Sequence, residues 1–146
     1  MRNYPMGSVS SGTMRNEDLI PDFIWELKNL SKKHKTFIKE VQERIDTIDD
    51  YYTSEESDYD LESLFDKLNE CAGPYFYFGA HPGDGSDYGF WLSEMFQEDF
   101  EGLQVSDLSE IPKSYFGEVL LVNDHGNMTL YNKAKNNKLT EIWGVV

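Results

Sequence analysis

From Asp18 onward, apolar positions recur at steps of three and four. Ile20, Phe23, Ile24, Leu27, Leu30, His34, Phe37, Ile38, Val41, Ile45, Ile48 and Tyr52 form one stripe. That period predicts helix, because residues three and four apart share a face. Ser31 is a candidate cap for a second helix, yet the stripe keeps its phase across it, so one long helix and a helical hairpin both fit. The same spacing permits a coiled-coil seam with a second copy. Packing on the chain's own sheet is the expected use of the stripe. Before it, residues 1–16 are Gly/Ser-rich and aperiodic, which predicts a flexible arm or, through Tyr4, Met6 and Val9, an edge strand.

After the stripe, 51–59 (YYTSEESDY) has no period and reads as a loop. Asp58 or Asp60 then offers an N-cap for a short helix through Leu61, Leu64, Phe65 and Leu68, ended by Gly73-Pro74. The aromatic run 75–80 predicts a strand, 81–87 a loop and 88–92 a return strand. Residues 93–100 suggest a helical turn, and 101–112 look irregular. Residues 118–122, 128–131 and 139–145 alternate as a β-meander, with Asx and Gly turn chemistry at 123–126. The expected fold is α+β: a long helix or helical hairpin plus a short helix, packed on a C-terminal antiparallel sheet of four to five strands. Residues 17–146 are read as a single domain.

Composition adds charge to this picture. The 146 residues carry 27 Asp and Glu against 13 Lys and Arg, a formal charge of -14. Such a chain is not expected to bind bare nucleic acid or an anionic membrane. Aromatics at 14% exclude a disordered acidic tail. No run approaches a membrane span and the start lacks a secretory signal, so a cytoplasmic location is expected. The charge is uneven: 45–112 holds 18 carboxylates and one base, Lys67. Carboxylates crowded on one surface project a field that attracts a basic groove and can imitate a phosphate backbone. Asp46, Asp49, Asp50, Glu55, Glu56, Asp58, Asp60 and Glu62 are therefore the expected partner-binding surface, extended by Asp84, Asp87, Glu98, Asp99 and Glu101 if these share the face.

The second candidate is the glycine-rich segment 79–91, where His81, Asp84 and Asp87, with His125 from a later turn, could hold a small ligand. His81-Pro82-x-Asp84 resembles the Ala-His-Pro-Asp-Asp-Glu motif of zinc-dependent sugar deacetylases. Gly83 and Gly85 replace two of its acids and no distal His-x-x-His exists, which excludes that chemistry. The two carboxylates also argue against a phosphate cradle. Otherwise the glycines supply positive φ and the aspartates bond nearby N–H groups. The single cysteine, Cys71, reads as a small side chain near a helix end. Trp25, Trp91 and Trp143 read as core or interface anchors, since a single-strand binder also needs a basic groove. No catalytic arrangement, metal site or cofactor is expected.

The segments MRNEDLIPDF (14–23), DYDLESLFDKLNE (58–70), YFGAHPGDGSDYGFW (77–91), SDLSEIP (106–112), GEVLLVNDHGNMTLY (117–131) and EIWGVV (141–146) resemble a family of small uncharacterised proteins of bacteriophages, prophages and conjugative elements, with GAHPGDG and VNDHGN as its distinctive phrases. The resemblance implies an accessory gene of a mobile element, and no catalytic residue is carried over from it. Small acidic proteins in that setting act as stoichiometric inhibitors of host restriction, CRISPR or other nucleic-acid enzymes. The expected function is a non-enzymatic protein of this DNA-mimic type, binding a basic host protein. The alternatives are a small-ligand or metal-binding module at the HPGDGSD loop and a homo-oligomeric structural or regulatory protein.

Overall fold

The computed structural model describes residues 4–146, and in it the apolar stripe is cut at Ser31. Helix α1 spans Asn16–Leu30 and α2 spans Lys35–Thr47, so the helical hairpin is the form adopted. Ser31 closes α1 in extended conformation, and its Oγ accepts from Lys33 N–H at 3.2 Å, a local bond that competes with helix continuation. A short 3₁₀ turn follows at Tyr51–Thr53, then α3 over Glu55–Glu70. Helix α3 therefore starts in the stretch expected as a loop, and its cap is Ser54, whose Oγ accepts from Ser57 N–H at 3.3 Å, not Asp58 or Asp60. The acids that hid the helix, Glu55, Glu56 and Asp58, sit in its first turn, where negative charge complements the helix dipole.

The chain divides into two compact units, Pro5–Glu94 and one whose body is Met95–Val146, where the sequence suggested one domain over 17–146. In the first, strands β1 (Gly7–Ser10), β2 (Phe76–His81) and β3 (Asp84–Leu92) form an antiparallel sheet in the order β1-β3-β2. The N-terminal segment is thus the edge-strand alternative over Gly7–Ser10; residues 1–3 lie outside the described chain. Alternation sends Phe78, Phe90 and Tyr88 to one face of this sheet. There Phe23 of α1 meets Phe78 at 5.0 Å and Phe65 of α3 at 5.1 Å, both edge to face. Ile20, Leu27, Ile38, Val41, Leu64 and Leu68 complete the core. The helices accordingly pack on β1–β3, not on the C-terminal sheet expected from the sequence. Phe23, Leu27 and Val41 are fully buried there, so these stripe positions are not free to form a coiled-coil seam.

The second unit opens with the one-turn helix α4 (Phe96–Asp99) and a four-stranded sheet follows: β4 (Leu103–Val105), β5 (Gly117–Val122), β6 (Met128–Lys133) and β7 (Leu139–Val145). Strands β5–β7 are the expected meander, and β4, in the segment read as irregular, adds in parallel beside β5. Phe96, Val105, Val119, Leu120, Leu130 and Trp143 are its buried apolar residues. The class is α+β, with a three-stranded and a four-stranded sheet. Among the described residues no helix is long and apolar enough to cross a membrane.

Candidate functional site

The 3.6-residue period divides α3 into two faces. Ser57, Asp60, Leu64 and Leu68 are buried, while Glu55, Glu56, Asp58, Glu62, Asp66 and Glu70 face solvent. None of those six carboxylates pairs with a Lys or Arg among the described residues; Glu70 lies 3.9 Å from His34 Nε2. Asp58 accepts from Asn16 Nδ2 at 2.7 Å, which ties the start of α3 to the start of α1. Tyr59, 65% exposed, stands among the acids. Sixteen residues at a rise of about 1.5 Å make a ridge about 24 Å long with one carboxylate per roughly 4 Å. A single strand of duplex DNA carries one phosphate per about 3.4 Å of axis.

Asp60 leaves the partner-binding set expected from the sequence, because it is only 6% exposed. Its carboxylate accepts from Arg44 Nε at 2.9 Å, Arg44 Nη2 at 2.8 Å and the Tyr51 hydroxyl at 2.7 Å. This knot joins α2, the 3₁₀ turn and α3. Burial, then the hydrogen bond to Asp60, drives the Tyr51 phenol well above its ordinary range, and the same carboxylate raises Arg44. Asp46, Asp49 and Asp50 are exposed at and after the end of α2. Glu98, Asp99 and Glu101 belong to the second unit, so the acidic block of the sequence is divided between two bodies.

The glycine-rich loop is a hairpin. His81 pairs with Asp84 across Pro82-Gly83, and β3 begins at Asp84, four residues before the strand expected at Tyr88. Gly83 and Gly85 do not adopt positive φ, contrary to expectation; Gly7, Gly12, Gly117 and Gly126 do. His81, Asp84 and Asp87 each hold a hydrogen bond. His81 Nδ1 accepts from Gly83 N–H at 2.9 Å, and its ring meets the Trp91 ring at 4.6 Å. Asp84 accepts from both Ser86 N–H and Ser86 Oγ, which pull its carboxyl below the usual range, while Asp87 accepts from Ser8 Oγ at 2.5 Å. His125 lies in the second unit, in the turn between β5 and β6, where its N–H donates to Asn123 Oδ1. No group of three or more His, Cys, Asp or Glu side chains among the described residues could hold a metal ion.

A feature the sequence reading assigned no role is a groove between α1 and α2. One section, about 280 Å³, is lined by Lys28, Lys32, Lys35 and Lys39 over Ile38. The next, about 250 Å³, shares Lys28 and Gln42 with it and reaches Trp25 and Ile45. Trp25 is 68% exposed, so it is no core anchor, whereas Trp143 is buried. The signal was present: Trp25, Lys28, Lys32, Lys35 and Lys39 recur at helical spacing beside the apolar stripe. No protein family, curated protein or solved structure matches the chain, and the candidate surfaces stand on their own geometry.

Proposed function

We propose that the chain is a non-enzymatic binding protein whose α3 ridge engages a basic groove on a host protein, as a stoichiometric inhibitor of a nucleic-acid-processing or defence enzyme in a bacterium carrying the mobile element. The observation that carries this reading is the row of six exposed carboxylates on α3, without a Lys or Arg partner among the described residues and spaced nearly as densely as phosphates on a strand. Tyr59 in their midst supplies the rigid amphipathic anchor that charge alone lacks. Attraction of this kind mainly raises the association rate and weakens as salt rises.

The test pairs the native protein with a variant carrying Glu55→Lys, Glu62→Lys and Asp66→Lys, all on solvent-facing positions. Each is immobilised in bacterial lysate at about 50 mM and about 500 mM salt, and retained nucleic-acid enzymes are assayed for DNA or RNA binding with increasing inhibitor. The expected result is one-to-one competition with the nucleic acid at low salt, lost at least about tenfold in the folded variant. Equal retention by the variant, or retained proteins whose nucleic-acid binding is unaffected, overturns the reading.

A further inference from the structure

The groove between α1 and α2 carries opposite charges at its two ends. Lys28, Lys32, Lys35 and Lys39 surround one end, and none is ion-paired among the described residues. The other is lined by Pro21, Ile45 and Tyr52; the exposed Asp22 and Asp46 adjoin Pro21 and Ile45 in the sequence, Asp49 follows the end of α2, and Asp46, with Glu17, lies close enough to add to the effect of burial in raising the Tyr52 phenol. The two ends are related by position. On α1, Lys28 and Asp22 stand three residues to either side of Trp25; on the α2 side, Lys35 and Asp49 stand seven residues to either side of Gln42. Lys39 and Asp46 stand three and four residues from Gln42. Trp25 and Gln42 line the same section of the groove, and Gln42 also lines the other.

Helix α2 gains nothing from this order. Lys35 is its first residue and Asp46 lies in its last turn, each against the helix dipole, and His34 makes no side-chain cap bond at its start. A surface that is basic at one end, acidic at the other and apolar between is complementary to itself when turned through 180°. We propose that a second copy of the chain docks on this groove about a two-fold axis passing beside Trp25 and Gln42. The two α2 helices then run antiparallel, and Lys28, Lys35 and Lys39 face Asp22, Asp49 and Asp46 of the second copy, every pair being made twice. Trp25 and its symmetry mate fill the apolar middle. A nucleic-acid strand suits the groove less well, because the end that repels phosphate lies in line with the end that attracts it. The face is about 20 Å long and two helices wide, the size of a weak, salt-sensitive dimer.

Sedimentation velocity of the full chain tests this from about 5 µM to about 500 µM at low salt, with expected conversion from monomer to dimer. Lys39→Asp alone sets acid against acid twice, and Asp46→Lys alone sets base against base twice. Both single variants are expected to stay monomeric, and their equimolar mixture to recover the native dimer, since each copy then supplies what the other lost. A native protein that stays monomeric, single variants that dimerise as well as the native chain, or a mixture that fails to recover each overturns the proposal. A native monomer that instead binds an acidic peptide or single-stranded DNA reassigns the groove to that ligand and overturns it equally.

Discussion

Asp60 shows how far the meaning of one residue depends on where its helix begins. In the sequence it is one of 18 carboxylates in a block. Once α3 is started at Ser54, it falls in phase with Ser57, Leu64 and Leu68 on the buried face. A buried carboxylate persists when paired and fully hydrogen-bonded, and removing one partner leaves an uncompensated charge. Arg44→Ala is therefore expected to destabilise the first unit by about 3 kcal/mol, at the low end for such pairs because the Arg44 side chain is 32% exposed. Urea unfolding measures this, and a loss below about 1 kcal/mol contradicts the assignment. Tyr51 adds a pH signature. Its phenol titrates higher folded than unfolded, so its contribution is complete below the unfolded value, about 10, and declines as pH rises from there toward the folded value. Tyr51→Phe should cost about 1.5 kcal/mol near pH 7, and the gap to the native protein should narrow above pH about 10. A gap that widens there would place the phenolate, not the phenol, in the folded state.

At the scale of elements, the long amphipathic stripe and the C-terminal meander were legible because each repeats one period over many residues. The hairpin β2–β3 was not. Gly83, Asp84, Gly85, Ser86 and Asp87 have loop composition, yet the last four extend β3, because Asp84 pairs with His81 of β2 and the Ser86 carbonyl accepts from Gly12 N–H, tertiary pairing that overrides their own propensity. Further along β3, β1 pairs with Tyr88–Phe90, and glycine admits it. A Cβ at Gly89 would lie 2.1 Å from the Gly7 carbonyl oxygen, with backbone on both sides of the clash. Gly89→Ala is thus expected to push β1 off β3 at a cost of about 2 kcal/mol, read as lost amide protection through Ser8–Ser10 in hydrogen exchange. Gly85→Ala is the control: a Cβ there meets nothing within 4 Å and should change stability by less than about 0.5 kcal/mol. Unchanged protection of β1 in the first variant would show that the close approach is not what holds the glycine. The parallel strand β4 was equally hidden, since three residues are too short to show alternation.

Over the whole molecule, the sequence showed that charge is concentrated but not where it goes. Part of the block lies in the second unit, where Asp107 and Glu110 are used as the two halves of a capping box, and Asp60 is buried. The remainder leaves α3 with a row of like charges that costs stability. Asp58, Glu62, Asp66 and Glu70 follow one another at four-residue steps, giving three adjacent like pairs, each destabilising by about 0.2 to 0.5 kcal/mol. A surface kept only for solubility would gain from interspersing lysines there, and Lys67 instead turns its ammonium over the Phe37 ring at 4.6 Å. Glu62→Gln with Asp66→Asn removes all three repulsive pairs while keeping side-chain size. The variant should be more stable than the native chain by about 1 kcal/mol at low ionic strength, and the difference should close near 1 M salt, where the screening length falls to about 3 Å. On the proposed function the same variant should also lose affinity for a basic partner, so that stability and binding move in opposite directions. If neutralising the pair leaves low-salt stability unchanged, the carboxylates do not sense one another, and a field too weak to act across one helical turn cannot draw in a partner from a Debye length away.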